Sequence, residues 1–371
     1  MKRILHISKF YHPYYGGIED VVYTIVNELR HDYEQRVICF NHESGTVRTI
    51  DNGIEILRIN TPLTIASQPV SFSYLRHLKN EIKTFRPDFI HLHLPNPLVC
   101  LYLEMLNLSN TRLIVHWHAD ILGKQMLYSL CKPIEKHILQ KAECIITTSR
   151  QYIEKSIPLQ PFKDKIRILP NTINEQKLKL YAGEEKEVEK IKRKYNNKNI
   201  VLFIGRHVPY KGIDYLIRAT KYLTDDAIVL IGGTGMQTQY LKHLAAPMGN
   251  KIHFIGRLPN EEMKYYLYAS TVFAFPSIDR REAFGVALAE ALYCGTPAVS
   301  FKLEGSGTTW VNQNNQTGIV VDRLDERAYA QAINSMLNDQ DTRQLYSENA
   351  REWVNQHFMK NQIQMLKQVY G

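Results

Sequence analysis

The sequence predicts an α/β protein with two doubly wound domains, each built on a parallel sheet. The chain has 371 residues, which is long for one hydrophobic core and sufficient for two. Short apolar segments of strand length alternate with amphipathic segments of helix length. This alternation restarts after a charged, weakly apolar stretch at 184–198. The pattern therefore indicates two successive series of βα units.

The first series begins at the amino terminus, where two cations precede a short apolar run. His6 and Ser8 interrupt that run, which predicts a buried first strand and not a signal peptide. The expected strands are Ile4–Ser8, Gln35–Phe40, Ile54–Ile59, Phe89–Leu92, Leu113–His116 and Cys144–Thr148. The expected helices lie at about 19–29, 73–85 and 124–141. No apolar segment approaches the roughly 20 residues of a membrane span.

The second series continues to the carboxyl terminus. Its expected strands are Ile200–Gly205, Ile228–Gly232, Ile252–Ile255, Val272–Phe275, Pro297–Phe301 and Gly318–Val321. Its expected helices lie near 212–223, 236–246, 260–269 and 284–294, with a last helix from about 350 to 370 that crosses back to the first domain. We therefore expect a first domain at 1–172, completed by a helix at about 352–371, and a second domain at 173–351. The linker is expected near 172–198.

Composition narrows the compartment and the class of partner. The chain is 44% hydrophobic and 22% charged, as soluble globular proteins are. Its five cysteines are scattered and contain no C-x-x-C pair, which indicates a reducing, cytoplasmic compartment. A formal charge of +9 favours an anionic partner. No Lys/Arg block is interleaved with aromatic residues, so nucleic acid is not the expected partner.

Segment 121–141 combines positive charge with apolar residues at helical spacing. Its cations are Lys124, Lys132, Lys136 and Lys141, against Glu135 alone. Its apolar positions are Ile121, Leu122, Met126, Leu127, Leu130, Ile134, Ile138 and Leu139. One interpretation is a core-facing helix with a solvated outer face. The other is a basic helix that touches anionic lipid head groups on the inner face of the cytoplasmic membrane.

Two cations follow the first strand of the second series and suit a phosphate ligand. Arg206 and Lys211 stand five residues apart, and Gly212 leads into a helix. Cations at the carboxyl end of a strand, beside a helix amino terminus, can clamp a phosphate. The chain has no Walker sequence, so this is not a P-loop. A plain solvated loop is the alternative.

Two glutamates stand eight residues apart, with Glu282 at the mouth of the helix expected near 284–294 and Glu290 inside that helix. An offset of eight is about 80° around a helix axis, so both can border one pocket. Glu282 is placed to accept hydrogen bonds from sugar hydroxyls, and Glu290 from both hydroxyls of a ribose. Free N–H groups near Phe284 and Gly285 would face a diphosphate. A solvated helix face is the alternative, but the flanking residues are apolar.

Glycines and histidines mark three further strand ends in the first series. Gly16 and Gly17 precede a helix, where backbone N–H groups can approach a phosphate or sugar closely, although a plain tight turn explains them equally well. Four histidines lie at two strand ends: His91, His93, His116 and His118. Alternate residues on a strand share a face, so a zinc site is conceivable. Hydrogen-bonding groups in a polar cleft are the favoured interpretation.

Taken in order along nearly the whole chain, these segments resemble the retaining glycosyltransferases of family 4. That family has the GT-B fold, in which two Rossmann-like domains face each other across a cleft. The matching motifs are Tyr15-Gly16-Gly17-Ile18-Glu19, His116-Trp117-His118-Ala119-Asp120-Ile121, Gly205-Arg206 with Lys211-Gly212, Gly232-Gly233-Thr234-Gly235, Phe254-Ile255-Gly256-Arg257-Leu258 and Glu282 to Glu290 with Ala283-Phe284-Gly285 inside it. Thr172 is a departure, because the family usually has glycine after Pro170-Asn171.

The resemblance implies roles in the second domain. Arg206 and Lys211 would bind the donor diphosphate and stabilise it as leaving group. Glu282 would hold sugar hydroxyls and Glu290 the ribose. The remaining donor-site residues would be Ala283, Phe284 and Gly285 near the diphosphate and Arg257 and Leu258 near the nucleobase.

The resemblance also implies roles in the first domain. Gly16 and Gly17 would approach the distal phosphate. His118 would lie beside the transferred sugar, and it is preferred to His116 because Asp120 follows at the family's usual spacing. The chain has no DxD sequence, the metal-chelating pair of many sugar transferases. Arg206 and Lys211 would replace that metal, so no metal or other cofactor is expected.

The implied reaction is transfer with retention by front-side attack, with the departing phosphate oxygen taking the acceptor's proton. The expected acceptor is a lipid-diphosphate-linked or free glycan of a bacterial surface polysaccharide. Mannose from GDP-mannose is the first expectation for the donor, and UDP-sugars follow closely. A GT-B epimerase of UDP-sugars would lack the E-x7-E pattern. A non-catalytic sugar-nucleotide-binding protein would tend to lose buried charged residues, because their burial is costly.

Overall fold

The computed structural model describes the whole chain except Tyr15, Ala66, Ser67, Gly123, Lys124, Lys360 and Asn361, and except the side chains of Gln125 and Leu127. Tyr15 of the glycine motif and Lys124 of the basic segment therefore lie outside the described residues. Tertiary contacts divide the chain into two units. Unit 1 is Met1–Thr172 with Asn361–Gly371, and unit 2 is Ile173–Lys360.

Unit 1 contains ten of the described strands and six of the described helices. The strands are β1 (Arg3–Ile7), β2 (Glu34–Phe40), β3 (Val47–Asp51), β4 (Ile54–Ile59), β5 (Leu63–Ile65), β6 (Gln68–Val70), β7 (Phe89–Leu94), β8 (Arg112–Trp117), β9 (Cys144–Thr147) and β10 (Ile166–Ile168). The helices are α1 (Gly17–Glu28), α2 (Ser73–Phe85), α3 (Pro97–Glu104), α4 (Gln125–Lys141), α5 (Arg150–Lys155) and the carboxyl-terminal α15 (Gln362–Tyr370).

The main sheet of unit 1 has the order β10-β9-β8-β7-β1-β2-β4-β3. All neighbouring pairs are parallel except β3–β4. The strand order reverses between β1 and β7, which is the position where doubly wound sheets bind ligands at their carboxyl ends. The short antiparallel pair β5–β6 forms a separate hairpin. Strands β3, β5, β6 and β10 were not predicted from the sequence, because these short strands lack a clear apolar period.

Helix α15 packs on unit 1, as the sequence predicts for the carboxyl terminus. The Tyr370 ring is fully buried and lies 5.1 Å from the Phe89 ring. Lys2 Nζ donates to the Tyr370 carbonyl at 3.0 Å, and Lys367 pairs with Asp32 at 2.8 Å. The predicted start of this crossing, at about residue 352, is wrong. Unit 1 resumes only at 361, because the preceding residues pack elsewhere.

Unit 2 contains the remaining described elements. Its strands are β11 (Asn199–Ile204), β12 (Ala227–Gly232), β13 (Ile252–Gly256), β14 (Val272–Phe275), β15 (Ala298–Phe301) and β16 (Gly318–Val321). Its helices are α6 (Glu175–Leu178), α7 (Glu185–Lys194), α8 (Ile213–Ala219), α9 (Thr238–Ala245), α10 (Asn260–Ala269), α11 (Val286–Tyr293), α12 (Thr308–Val311), α13 (Glu326–Asn338) and α14 (Gln340–Val354).

The sheet of unit 2 is parallel throughout, in the order β13-β12-β11-β14-β15-β16. Successive residues of a strand point to opposite faces. Accordingly, Ile200 and Leu202 lie in one hydrophobic cluster, and Val201 and Phe203 lie in another. The sheet thus carries a core on each face, as a doubly wound domain requires.

Residues of the expected linker and of the expected crossing helix both belong to the core of unit 2. Ile173 and Leu178, in the stretch expected to be a linker, are buried in one of its clusters. Val354 and Phe358, expected in the crossing helix, are fully buried in the same cluster. Phe358 meets Phe284 edge to face at 5.2 Å. The boundaries of this domain are therefore set by apolar packing and cannot be found from charge and composition alone.

Helix α4 meets the expectation of a core-facing helix only in its carboxyl-terminal half. Its inner face buries Ile138, Leu139 and Glu135. Met126 and Leu130, counted among its core positions from their spacing, are 86% and 73% exposed. Of the described helices, none combines the length and apolarity that are needed to cross a bilayer.

Candidate functional site

The carboxyl ends of β11 and β14 bring the two predicted donor segments of unit 2 together. The strand order reverses between these two strands. Gly212, after β11, has φ +59°, and a Cβ there would lie 2.1 Å from the Pro276 carbonyl oxygen, after β14. The Ile278 amide donates to the Tyr210 carbonyl at 2.9 Å. The glycine is therefore needed for close contact between the loop that carries Lys211 and the loop that carries Glu282.

Lys211 and Glu282 form a buried ion pair between these loops. Each side chain is only 11% exposed, and Lys211 Nζ donates to Glu282 Oε2. Ser277 Oγ donates to the same carboxylate oxygen at 3.1 Å, and Ser306 Oγ donates to the Glu282 carbonyl. The ammonium group also lies 5.2 Å from the centre of the Phe275 ring. Both charges are therefore held in place by the protein itself.

Glu290 forms a second buried ion pair, inside helix α11. Its Oε1 accepts from Lys177 Nζ at 3.1 Å. Lys177 belongs to the short helix α6, which Asn174 caps by accepting from the Lys177 backbone amide at 3.2 Å. The sequence analysis did not identify Lys177, because it is 113 residues away along the chain and belongs to no motif.

Arg206 occupies a more open position than Lys211. It is exposed, and its Nη2 donates to the Tyr210 hydroxyl at 3.2 Å. The guanidinium group of Arg281 lies 5.1 Å from the centre of the same Tyr210 ring and pairs with Asp279. Two guanidinium groups thus flank one tyrosine beside the buried Lys211–Glu282 pair.

Helix α11 begins later than the sequence indicated. Gly285 is its cap, with φ +91°, and Val286 is its first residue. Glu282 consequently lies in the preceding loop, so the helical-wheel argument that joined it to Glu290 is wrong. Phe284 is buried in the core, and the Ala283 carbonyl accepts from the Gly307 amide at 2.8 Å. These contacts hold the loop that precedes the amino terminus of the helix.

Arg257 and Leu258 follow β13 at the same edge of the sheet. Arg257 is exposed, whereas Leu258 is half-buried and packs against the core of unit 2. Gly256 has φ +69° and its carbonyl accepts from the Gly233 amide at 2.7 Å. Because β13 is the edge strand, these two residues lie two strands away from Lys211.

Unit 1 gathers five histidines on three adjacent strands. They are His6 on β1, His91 and His93 on β7, His116 on β8, and His118 just after β8; all are at most 4% exposed. The His91 and His116 rings are parallel within 4°, with centres 5.5 Å apart. His93 Nδ1 and His118 Nε2 share a hydrogen bond of 3.1 Å. His6 was not among the histidines singled out from the sequence.

Burial keeps these imidazoles neutral. It lowers the pKa of His118 to about 3 and the pKa of His6 to about 4. The pKa values of His91, His93 and His116 are also lowered well below the usual value, first by burial and then by the neighbouring histidines. In the neutral form each ring offers one donor and one acceptor nitrogen.

Asp120 lies in the loop that follows β8, close to His118 in sequence. Its Oδ1 accepts from Trp117 Nε1 at 2.9 Å and from Ser156 Oγ at 2.7 Å. Its backbone amide donates to the Tyr152 hydroxyl. These contacts show Asp120 fixing the shape of the loop that begins at His118.

Gly16 is the cap of helix α1, and Gly17 is its first residue. The carboxylate of Glu19 fills the space beside Gly16, since a Cβ there would lie 2.2 Å from Glu19 Oε2. Among the described residues, nothing lies within 4 Å of a Cβ placed at Gly17. The only crowding at Gly16, in the part of the chain that the structure describes, is therefore with the end of a flexible side chain, so the packing requires a glycine at neither position.

Two family models match the chain, one in each half. The model described as "Glycosyltransferase Family 4" matches residues 15–177, and the model described as "Glycosyl transferases group 1" matches residues 184–353. The chain belongs to glycosyltransferase family 4. Its two Rossmann-like units are those of the GT-B fold.

Two curated relatives and one solved structure indicate how far this glycosyltransferase resembles known proteins. It is 28% identical to the O-antigen chain mannosyltransferase C of Escherichia coli, over 96% of this chain and 94% of that protein. It is 27% identical to the D-rhamnosyltransferase WbpZ of Pseudomonas aeruginosa, over 89% and 85% of the two chains. The crystal structure of Anabaena HepE with UDP-glucose superposes with a TM-score of 0.79 at 17% identity, covering 100% of both chains.

Within unit 2, the structure of the glycosyltransferase brings together most of the residues that the sequence singled out. Lys211, Glu282 and Gly285 follow two central strands, and Arg206 lies on the same loop as Lys211. Glu290 lies in α11, about one turn after Val286, the first residue of that helix. The supporting residues Lys177, Ser277 and Ser306 escaped sequence reasoning, because single lysines and serines carry no spacing signal.

Proposed function

We propose that this glycosyltransferase is a retaining, metal-independent hexosyltransferase whose nucleotide-diphosphate sugar binds at the strand ends of unit 2. The observation that carries the proposal is the buried pair Lys211–Glu282, held by Ser277 at the switch point of the sheet. Burying a lysine and a glutamate there is costly unless both have partners. Here the two charges are partners of each other, and a donor would replace that pairing with phosphates for the lysine and hydroxyl groups for the glutamate.

The proposed chemistry follows from the charges that develop on the donor during the reaction. When the C–O bond between the sugar and the diphosphate breaks, the diphosphate gains negative charge and the ring gains positive charge. Lys211 and Arg206, with the amino terminus of α11, would stabilise the leaving group. Removal of one such donor is expected to cost on the order of 3 kcal/mol, or about 100-fold in rate. In front-side attack the departing phosphate oxygen takes the acceptor's proton, so no carboxylate pair of the glycosidase type is needed.

The other predicted roles remain part of the proposal. Glu290 would accept hydrogen bonds from the ribose, and Arg257 and Leu258 would lie near the base. His118, Gly16 and Gly17 of unit 1 would serve the transferred sugar and the distal phosphate. No metal or other cofactor is proposed for the donor site.

We propose mannose from GDP-mannose as the donor, with a UDP-sugar as the alternative. The O-antigen mannosyltransferase of Escherichia coli supports a mannosyl donor, and HepE, a structure with UDP-glucose, supports the alternative. The proposed acceptor is a lipid-diphosphate-linked or free glycan of a bacterial surface polysaccharide, such as lipopolysaccharide O-antigen or exopolysaccharide. Cytoplasmic assembly on a membrane carrier would place the protein at the inner face of the membrane.

The donor is tested by incubating the protein with GDP-mannose, UDP-glucose and ADP-glucose in excess EDTA, without acceptor. The true donor should raise the melting temperature and should be hydrolysed slowly to free sugar. NMR of the freshly released sugar should show the donor's anomeric configuration. A melting shift without hydrolysis would favour a binding protein. Hydrolysis that stops in EDTA and returns with excess Mg²⁺ would contradict metal independence at the donor site.

We further propose that helix α4 is the face that contacts an anionic membrane. Met126 and Leu130 stand four residues apart and form one exposed stripe. Lys132 and Lys136 are exposed on the same helix, whereas its only acid, Glu135, is buried. An exposed apolar stripe flanked by cations suits an anionic lipid surface, which has both apolar chains and negative head groups. A purely polar partner would leave the stripe without apolar contacts.

Sedimentation with vesicles tests this face. Wild type should sediment with phosphatidylglycerol vesicles and not with phosphatidylcholine vesicles. The double variant Met126→Asp/Leu130→Asp should lose most of that binding. Leu345→Asp, at an exposed leucine of α14, is the matched control and should bind as wild type. Equal binding by wild type and the double variant would rule out α4 as the membrane face.

A further inference from the structure

Three of the buried histidines of unit 1 converge where strands β1 and β7 run side by side. His6 is in register with His91 on the neighbouring strand. His93 follows two residues later and therefore shares the face of His91. One ligand atom from each of the three rings lies within 4.8 Å of the others. All three side chains are at most 1% exposed.

Each of these three rings uses one nitrogen for a hydrogen bond to an outer partner. His6 Nε2 contacts Gln35 Oε1 at 2.9 Å, and His91 Nδ1 contacts the Tyr370 hydroxyl at 2.6 Å. His93 Nδ1 contacts His118 Nε2 at 3.1 Å. The Gln35 amide is itself fixed, because its Nε2 donates to the Val26 carbonyl at 2.9 Å. The outer partners therefore orient the three rings.

The other nitrogen of each ring is buried and has no protein partner among the described residues. These atoms are His6 Nδ1, His91 Nε2 and His93 Nε2. A buried polar atom that lacks a hydrogen bond costs about 1–3 kcal/mol. Three such atoms in one cluster indicate a ligand that satisfies them together.

We propose that His6, His91 and His93 bind a transition-metal dication, with Zn²⁺ as the preferred ion. Three neutral imidazoles with an open fourth position form one of the usual ligand sets of zinc. Imidazole nitrogen favours Zn²⁺, Ni²⁺ or Cu²⁺ over Mg²⁺, which prefers oxygen. Ligating histidines typically hydrogen-bond through their second ring nitrogen, and Gln35, Tyr370 and His118 occupy those positions here. This site belongs to unit 1 and is separate from the donor residues of unit 2.

Binding requires a small adjustment of the rings. Zn–N bonds of about 2.0–2.1 Å place tetrahedral ligand atoms about 3.3 Å apart. The present separation of up to 4.8 Å must therefore shorten by roughly 1.5 Å, which χ rotations of the three rings can supply.

The metal would also determine the protonation of His118. An ion on His93 Nε2 leaves the proton on His93 Nδ1, which then donates to His118 Nε2. The proposed sugar-side histidine would thereby be held in one tautomer. The proposed ion would thus act on His118 through His93 and would not itself be a ligand of the donor.

Metal content tests the proposal independently of activity. The full chain, stripped with EDTA and then dialysed against micromolar Zn²⁺, should retain about one equivalent by elemental analysis. Co²⁺ should give the visible absorption bands of a tetrahedral nitrogen-ligated site. Retention of less than a tenth of an equivalent by the folded wild type would overturn the proposal.

Two variants and a control assign the ion to these residues. His91→Gln should abolish retention. Gln35→Leu, which keeps all three ligands, should weaken Zn²⁺ binding about 10- to 100-fold because the outer hydrogen bond to His6 is lost. The exposed His31→Gln should bind as wild type. If both His91→Gln and Gln35→Leu melt as folded proteins and retain Zn²⁺ like the wild type, the ion lies elsewhere and the proposal fails.

Discussion

The strand ends of the two units are alike in topology and opposite in chemistry. Both sheets reverse their order at a central pair, β1–β7 in unit 1 and β11–β14 in unit 2. The reversal in unit 2 is lined by buried ion pairs, Lys211–Glu282 and Lys177–Glu290. The reversal in unit 1 is lined by imidazoles that burial keeps neutral.

This difference shows two ways to place polar groups where water is excluded. An ion pair keeps full charge available for an anionic ligand, but removal of one partner leaves an uncompensated buried charge. A neutral imidazole avoids that cost and offers hydrogen bonds or a metal-binding lone pair instead. Of the two strand-order reversals, the one proposed to bind the diphosphate is thus lined by charged side chains and the other by neutral ones.

The largest expected effect comes from breaking the Lys211–Glu282 pair. Lys211→Ala should lower the rate of transfer about 100-fold or more, because the leaving diphosphate loses a cation. It should also destabilise unit 2, since Glu282 is left buried without its partner. Steady-state kinetics and thermal unfolding measure the two effects.

The double variant Lys211→Ala/Glu282→Gln separates these effects. Removing the carboxylate charge should restore most of the lost melting temperature and none of the activity. If the double variant regained activity together with stability, Lys211 would be structural and the clamp would be wrong.

A smaller effect is expected at the second pair. Lys177→Met should raise KM for the donor about 10-fold and change kcat little, because Glu290 loses the partner that orients it toward the ribose. Lys177→Arg should recover most of the affinity. Lys190→Met, the same change at an exposed lysine, should behave as wild type. A fall in kcat with unchanged KM would place Lys177 in the chemical step instead.

The smallest effect concerns the stability of unit 1 at Glu135, on α4 beside the loop after β8. Burial raises the pKa of Glu135 to about 7, a rise that the Tyr128 hydroxyl opposes and the charge of Asp120 reinforces. Between about pH 4.5 and 7 the folded state keeps a proton that the unfolded state releases, so stability falls as pH rises through that window.

Glu135→Gln removes this ionisation. Relative to wild type it should gain roughly 2–3 kcal/mol between pH 5 and pH 8. Calorimetry should show this as a melting temperature that exceeds the wild-type value by a few degrees more at pH 8 than at pH 5. Glu154→Gln, at an exposed glutamate, should show no such gain. An equal gain in both variants would mean that the effect is general surface charge.

Sequence reasoning anticipated the two doubly wound sheets, most of their strands and the loops that carry Arg206, Lys211 and Glu282. These features are local, because apolar period, paired glycines and cations beside a strand end are visible within a short window. The boundary of the carboxyl-terminal crossing was misplaced, because residues 352–360 show the same helical period whether they pack on unit 1 or on unit 2.

What the sequence by itself determined is therefore the fold class, the family and the loops that are proposed to bind the donor, which depend on periodicity and on short motifs. Only the tertiary structure showed that Lys177 meets Glu290, that His6 joins His91 and His93, and that Met126 and Leu130 of α4 point outward. Such contacts depend on which strands and helices become neighbours in space, and a linear spacing rule contains no information about partners that are a hundred residues apart.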